Sequence, residues 1–233
     1  YGVHESADIR IVKCELDEMA RASVSATTPW GSVSWAMSVP GAHMALNAAA
    51  AIAVSGVCGV DIHSAAAALE QSSVSPMRMQ VITTDDGITI INDAYNANPE
   101  SMTAALQTLT AIPARGKTFA ILGKMHELGE TSEAIHAQIA NLAVELGVTH
   151  VVAVGEFANS YSLPTLSGIT SMGDFSERNA QAVWLPDFDT ACDYIEKQVN
   201  SGDILLFKAS RAEKFEVLAD RIELVLRAKW GQQ

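Results

Sequence analysis

Polar and apolar positions alternate along the first forty residues, and this period of two marks Ile9-Arg10-Ile11-Val12 and Val33-Ser34-Trp35-Ala36-Met37-Ser38-Val39 as strands, separated by a Thr28-Pro29-Trp30-Gly31 turn. The spacing then becomes helical. It predicts a helix over 42–55, whose small alanines permit close approach to a neighbour, ending near Gly56 and Gly59. A second helix is expected beyond Asp61, a good N-cap, as far as residue 71. Ser72-Ser73-Val74-Ser75-Pro76 interrupts the period with polar residues and proline, which places a domain junction just before Met79 and divides the chain into 1–78 and 79–233.

Beyond the junction, strands and helices alternate. Asp85-Asp86-Gly87 is a turn signal that pairs 79–83 with 87–92 as a hairpin. Pro99 suits a first helical turn, because its missing N–H would have found no partner there. Strands are expected over 118–122, 150–154 and 203–207, and helices over 132–146, 191–200 and 212–228. Short apolar strands between amphipathic helices argue for an α/β domain of Rossmann-like type, a mainly parallel sheet covered on both faces. Such sheets bind ligands beyond the carboxyl ends of their strands, where Asp93, 123–130, Gly155 and 208–211 fall.

Composition narrows the function. Fifteen basic against 27 acidic residues give a formal charge of −12, a poor match to a nucleic-acid backbone. A few cations and backbone N–H groups can still bind an anionic nucleotide locally. The longest smooth apolar run, 45–54, is far too short to span a bilayer, so a soluble, cytoplasmic protein without membrane insertion is expected, as a monomer. Cys14, Cys58 and Cys192 lack CxxC spacing and read as reduced, mostly packing residues; the six His show no zinc pattern. Tyr1 in place of Met suggests a natural amino terminus further upstream.

The densest polar stretch is Asp93-Ala94-Tyr95-Asn96-Ala97-Asn98-Pro99-Glu100-Ser101-Met102, at a strand-to-helix junction. Helix capping accounts for Asn98, Pro99 and Glu100. Asp93, Tyr95 and Asn96 are left unexplained by packing, with ligand contact and an elaborate cap about equally open. The stretch resembles a motif of the Mur ligase family, in the branch that adds D-alanyl-D-alanine to UDP-N-acetylmuramoyl-tripeptide. Pro40-Gly41-Ala42-His43-Met44-Ala45-Leu46-Asn47, Pro76-Met77-Arg78-Met79, Leu122-Gly123-Lys124-Met125-His126-Glu127-Leu128-Gly129-Glu130 with His136, and Lys208-Ala209-Ser210-Arg211 resemble further segments of that family in the same order.

The resemblance implies an amide-forming ligase that uses ATP and Mg2+, with UDP-N-acetylmuramoyl-tripeptide and D-alanyl-D-alanine as partners. A carboxylate lacks a good leaving group, so the class first phosphorylates it and an amine then displaces phosphate. By resemblance, His43, Asn47, Arg78 and Asp93 fall on the ATP side, with Met44 replacing an Asn of the family. Tyr95, Asn96, Asn98, Lys208, Ser210 and Arg211 fall on the substrate side. Lys208, Ser210 and Arg211 follow a strand and are read as opening a helix, so cations, a hydroxyl and backbone N–H groups would converge on a carboxylate.

No GxxxxGK sequence followed by Ser or Thr occurs, and no catalytic residue or metal ligand is assigned. The expectation is therefore the α/β tail of a truncated ATP-binding central domain in 1–78 followed by the Rossmann-like carboxy-terminal domain in 79–233, inert by itself. Two alternatives stay open. One is a sister ligase adding a single amino acid; the other is a non-catalytic nucleotide- or partner-binding module on the same sheet.

Overall fold

The computed structural model describes residues 1–71, 75–156, 161 and 180–230, so the expected break at 72–74 lies outside the described residues. Contacts divide the chain into two compact units, 1–75 with 111–113, and 76–110 with 114–233.

In the first unit, β1 (Arg10–Leu16), β2 (Arg21–Thr28) and β3 (Gly31–Pro40) form an antiparallel sheet in that order. The middle strand corrects the two-strand reading. Its core face carries only Ala22, Val24 and Ala26, and small side chains gave the period of two too little hydrophobic contrast. Helices α1 (His43–Val57) and α2 (Ile62–Gln71) follow. Ala45, Ala48, Ala49 and Ile52 of α1 join Val24, Val33 and Trp35 of the sheet in one buried cluster. Asp61 accepts the Ser64 N–H at 2.8 Å and caps α2, as its position implies. At Gly56 a Cβ would run into the Trp30 indole, so close contact there requires glycine.

The second unit runs β4 (Gln80–Thr83), β5 (Thr89–Asn92), α3 (Pro99–Ala111), β6 (Thr118–Leu122), α4 (Ser132–Glu145), β7 (His150–Val154), β8 (Gln181–Leu185), α5 (Phe188–Gln198), β9 (Ile204–Lys208) and α6 (Phe215–Trp230). The sheet order is β4-β5-β9-β6-β7-β8, parallel throughout except for the β4–β5 hairpin. Strands β6, β7 and β9 are buried along their whole length, the signature of a sheet covered on both faces. One face, with Phe119, Ile121, Val152, Leu205 and Phe207, packs under Ile195 of α5 and Leu218 and Ile222 of α6. The alternate residues Ala120, Val151 and Leu206 are equally buried on the other face, outside that cluster, as are Leu106 of α3 and Ile139 of α4.

Three elements depart most from expectation. β8 was not anticipated. α5 begins at Phe188, because Asp187 accepts the Thr190 N–H at 2.8 Å and caps it three residues before the expected start. The segment after β9 does not open a helix at residue 212: Arg211–Glu213 is a single 3-10 turn, Lys214 is left-handed at φ 52°, and α6 starts at Phe215. A left-handed residue cannot continue a right-handed helix, so the turn and α6 stay separate. The cysteines also depart from the packing expectation: Cys192 is buried, but Cys14 and Cys58 are exposed.

Candidate ligand site at the carboxyl ends of the parallel strands

The last strand in sequence, β9, is inserted between β5 and β6, and this insertion builds the site. The helix after β9 covers one face of the sheet, whereas those after β5 and β6 lie outside that face's cluster. The carboxyl ends of β5, β9 and β6 therefore form a topological switch point, where the outgoing loops part and leave a crevice. A cavity of about 410 Å³ opens there, lined by Asn96, Ala97 and Asn98 after β5, His126, Glu127 and Leu128 after β6, and Ser210, Arg211 and Ala212 after β9.

Hydrogen bonds between the loops hold the crevice open. Ser210 accepts the His126 N–H at 2.9 Å through its hydroxyl oxygen and donates to the Ala97 carbonyl at 3.3 Å, so one side chain joins all three loops. The Ser210 N–H donates to the Lys124 carbonyl at 3.0 Å. Gly123 lies close against Ala209 and Phe215, where a Cβ would stand 2.5 Å from the Phe215 ring and 2.7 Å from the Ala209 Cβ. Behind the loop, His136 accepts the Met125 N–H at Nε2 (2.9 Å) and donates from Nδ1 to the Ser132 carbonyl (2.6 Å), which fixes it as the neutral tautomer. Burial pushes its pKa below the ordinary value. Tyr161 stacks edge-on against His136 and donates to the Gly123 carbonyl at 2.8 Å. Burial raises that phenol above its usual range, so it acts only as a hydrogen bonder.

The charges in the crevice are mixed. His126 Nε2 meets Glu213 Oε1 at 2.6 Å, and Arg211 meets Glu216 at 2.7 Å while staying half exposed. Glu127 is left-handed at φ 64°, a conformation that an L side chain adopts only when its surroundings impose it. The Arg211 cation, the His126 imidazole and the Glu127 carboxylate thus line one pocket, a pattern suited to a zwitterion or a peptide end.

The residues singled out from sequence fall in three places. Asn96, Asn98, Ser210 and Arg211 line the cavity. Asn98 also accepts the Ser101 N–H at 2.8 Å, so it is a helix cap as well. Asp93, Tyr95, Arg78 and Lys208 form an adjoining cluster. Lys208 is the final residue of β9, only 2% exposed, and its Nζ donates to Asp93 Oδ2 at 2.6 Å and to the Asn96 carbonyl at 2.9 Å. Asp93 Oδ1 accepts the Met79 N–H at 3.0 Å, and the Arg78 guanidinium lies 3.9 Å from the centroid of the exposed Tyr95 ring. His43 and Asn47 lie in the first unit, one turn apart on α1, where Asn47 is exposed and its amide donates to Met44 Sδ at 3.6 Å.

Sequence reasoning left the roles of His126, Glu127 and His136 open and passed over Tyr161 and Glu213. The 122–130 segment with His136 stands out only as a motif, because the pairing of His126 with Glu213 and of Tyr161 with Gly123 and His136 joins separate parts of the chain. Among the described residues, no three His, Cys, Asp or Glu side chains converge to hold a metal. No helix among them is long and apolar enough to cross a membrane.

A doubly covered parallel sheet with its crevice at the switch point defines a Rossmann-like ligand-binding unit. Residues 77–211 match the family described as Mur ligase, glutamate ligase domain, and the chain belongs to the Mur ligase family. It is 36% identical over 228 residues to the UDP-N-acetylmuramoyl-tripeptide--D-alanyl-D-alanine ligase of Mycobacterium bovis, covering 93% of this chain and 45% of that protein. The ligase of the same name from Bacillus subtilis is 34% identical over 184 residues, covering 78% and 38%. Among solved structures, MurF from Acinetobacter baumannii aligns with a TM-score of 0.77 at 28% identity, over 94% of this chain and 46% of that one. MurF from Thermotoga maritima in complex with ADP, at 24% identity, shares the fold with a TM-score of 0.72 over 97% and 48%. The chain spans about half the length of the relatives it matches.

Proposed function

We propose that the chain is part of an ATP-dependent ligase of peptidoglycan synthesis that joins D-alanyl-D-alanine to UDP-N-acetylmuramoyl-tripeptide. The carrying observation is the similarity to dipeptide-adding ligases over 93% of the chain, joined to a crevice of mixed charge in its second unit. The reading assigns 1–78 to the tail of the ATP-binding central domain and 79–233 to the carboxy-terminal domain. The reaction balances in two steps. The terminal carboxylate of the tripeptide takes the γ-phosphoryl group and releases ADP. The amine of D-alanyl-D-alanine then attacks the carbonyl carbon, an N–C bond forms, and the C–O bond to phosphate breaks as the amine loses a proton.

Each group has a task in that scheme. Arg78 and Asp93 serve the nucleotide side, Arg78 as a permanent cation suited to phosphate and Asp93 as an acceptor for ribose hydroxyls, since each carboxylate oxygen keeps a lone pair beyond its present bond. His43 and Asn47 are assigned to the nucleotide as well. Arg211 faces the dipeptide carboxylate, with Asn96, Asn98 and Ser210 shaping the crevice around the peptide and Tyr95 beside it in the adjoining cluster. Mg2+ enters as the partner of ATP rather than as a resident metal of this chain.

The test uses the full-length ligase with ATP and the tripeptide substrate, offered D-alanyl-D-alanine and single amino acids in competition, with products read by mass spectrometry. The dipeptide adduct with matching ADP release is expected. A product carrying one amino acid would move the protein to a sister activity, and tight calorimetric binding of NAD with no ligation would overturn the ligase reading.

A further inference from the structure

Lys208 stands at the centre of the sheet, in register with Leu122 of β6, and its backbone carbonyl accepts the Gly123 N–H at 2.9 Å. From this rigid point its ammonium grips the turn after β5 at two places and, through Asp93, the segment before β4. It holds the 93–98 turn through the Asn96 carbonyl, and it holds Asp93, whose other oxygen takes the Met79 N–H. Met77 and Met79 are left-handed, at φ 63° and 50°. L side chains keep that conformation only where other contacts impose it. Two such contacts are present: the Asp93 carboxylate on the Met79 N–H, and the Tyr95 N–H donating to the Met77 carbonyl at 3.0 Å. Arg78, between these methionines, is thereby placed over the Tyr95 ring.

With 2% exposure and two acceptors replacing its hydration, the ammonium of Lys208 is directed inward rather than at a ligand. We propose that Lys208 is a positioning residue for the ligation reaction: through Asp93 and the Asn96 carbonyl it sets the geometry of Arg78 and of the Tyr95–Asn96 edge of the crevice. The inference rests on the ligase reading and assigns Lys208 no contact with the dipeptide carboxylate.

Two readouts test it in the full-length ligase, one independent of turnover. The first compares Lys208→Met with wild type for kcat and for KM of each substrate. The expected result is a fall in kcat of about tenfold or more with KM for D-alanyl-D-alanine changed less than about twofold, the pattern of lost alignment rather than lost binding. The second is amide hydrogen exchange at Met79, expected to accelerate in the variant relative to the Ile121 amide in β6, which serves as the internal reference for global stability. If Lys208→Met does not fold, the double variant with Asp93→Asn removes both charges together and is read by KM for D-alanyl-D-alanine and by Met79 exchange, since Asp93 itself is assigned to the nucleotide.

A raised KM for D-alanyl-D-alanine with unchanged kcat would make Lys208 a direct ligand contact and overturn the proposal. Unchanged kinetics with unchanged Met79 exchange would do so as well. Wild-type protein that forms no amide product would instead sink the ligase reading and this role in ligation with it, and Met79 exchange would then show separately whether the contact itself holds.

Discussion

Asn98 closes the amino end of α3 by accepting the Ser101 N–H, and the same side chain borders the crevice. Its two duties separate by substitution. Asn98→Ala is expected to lower stability by about 1 kcal/mol through the lost cap, whereas Asn98→Asp keeps the acceptor and the stability. A drop in ligation rate in the stable Asp variant, measured beside its denaturant midpoint, would assign the amide N–H2 to substrate. At Gly123 the constraint is steric. Gly123→Ala drives a methyl group into the Phe215 ring and Ala209, and a loss of about 1–3 kcal/mol is expected in urea unfolding. Lys208→Met leaves the partly buried Asp93 without its cation, a change that costs no more than the roughly 3–5 kcal/mol of a fully buried broken pair. The double change with Asp93→Asn removes the orphaned charge and is expected to recover much of that loss.

At the scale of elements, the two strands legible to the residue are buried on both faces. The apolar runs 118–122 and 150–154 are strands over the residues expected. β2 and β8 were missed for a shared reason: alanines in β2, and Gln181, Ala182 and the half-buried Trp184 in β8, dilute the apolar contrast that tertiary packing then supplies. Elements also carry the pH dependence. His150 on β7 is buried against Phe119, and desolvation, helped by Lys117, pushes its pKa down to about 4. His136 on α4 is shifted in the same direction, by burial first. Both folded values lie below the unfolded value of about 6.5, so the unfolded chain takes up protons that the folded chain refuses. The histidine contribution to stability is therefore full above pH 6.5 and is lost as the pH falls from about 6.5 towards 4, levelling off below the folded value of His150. Urea midpoints between pH 7 and 5 should fall, and His150→Asn should flatten the slope. An unchanged slope would show that His150 is not buried in its neutral form.

For the whole molecule, chemistry was more legible than geometry. The polar crowding of 93–98 and the cationic 208–211 segment stand out in the sequence, but no local pattern states that β9 is inserted between β5 and β6. That insertion brings Asp93 and Lys208, 115 residues apart in the chain, to 2.6 Å, and it converts two separately noticed segments into one wall. Lys208, expected just after the strand with its charge directed at a substrate carboxylate, is the last residue of β9 with its charge engaged by Asp93 and the Asn96 carbonyl. The ends of β5, β9 and β6 are held by Ser210 and Lys208, so the crevice they border is a built feature of the second unit. The most direct test is a crystal structure of the full-length protein with D-alanyl-D-alanine and a non-hydrolysable ATP analogue. The dipeptide is expected in the crevice bordered by Asn96, His126 and Arg211, its carboxylate on Arg211, with the Lys208–Asp93 pair intact. Dipeptide density elsewhere with that crevice empty would contradict the account.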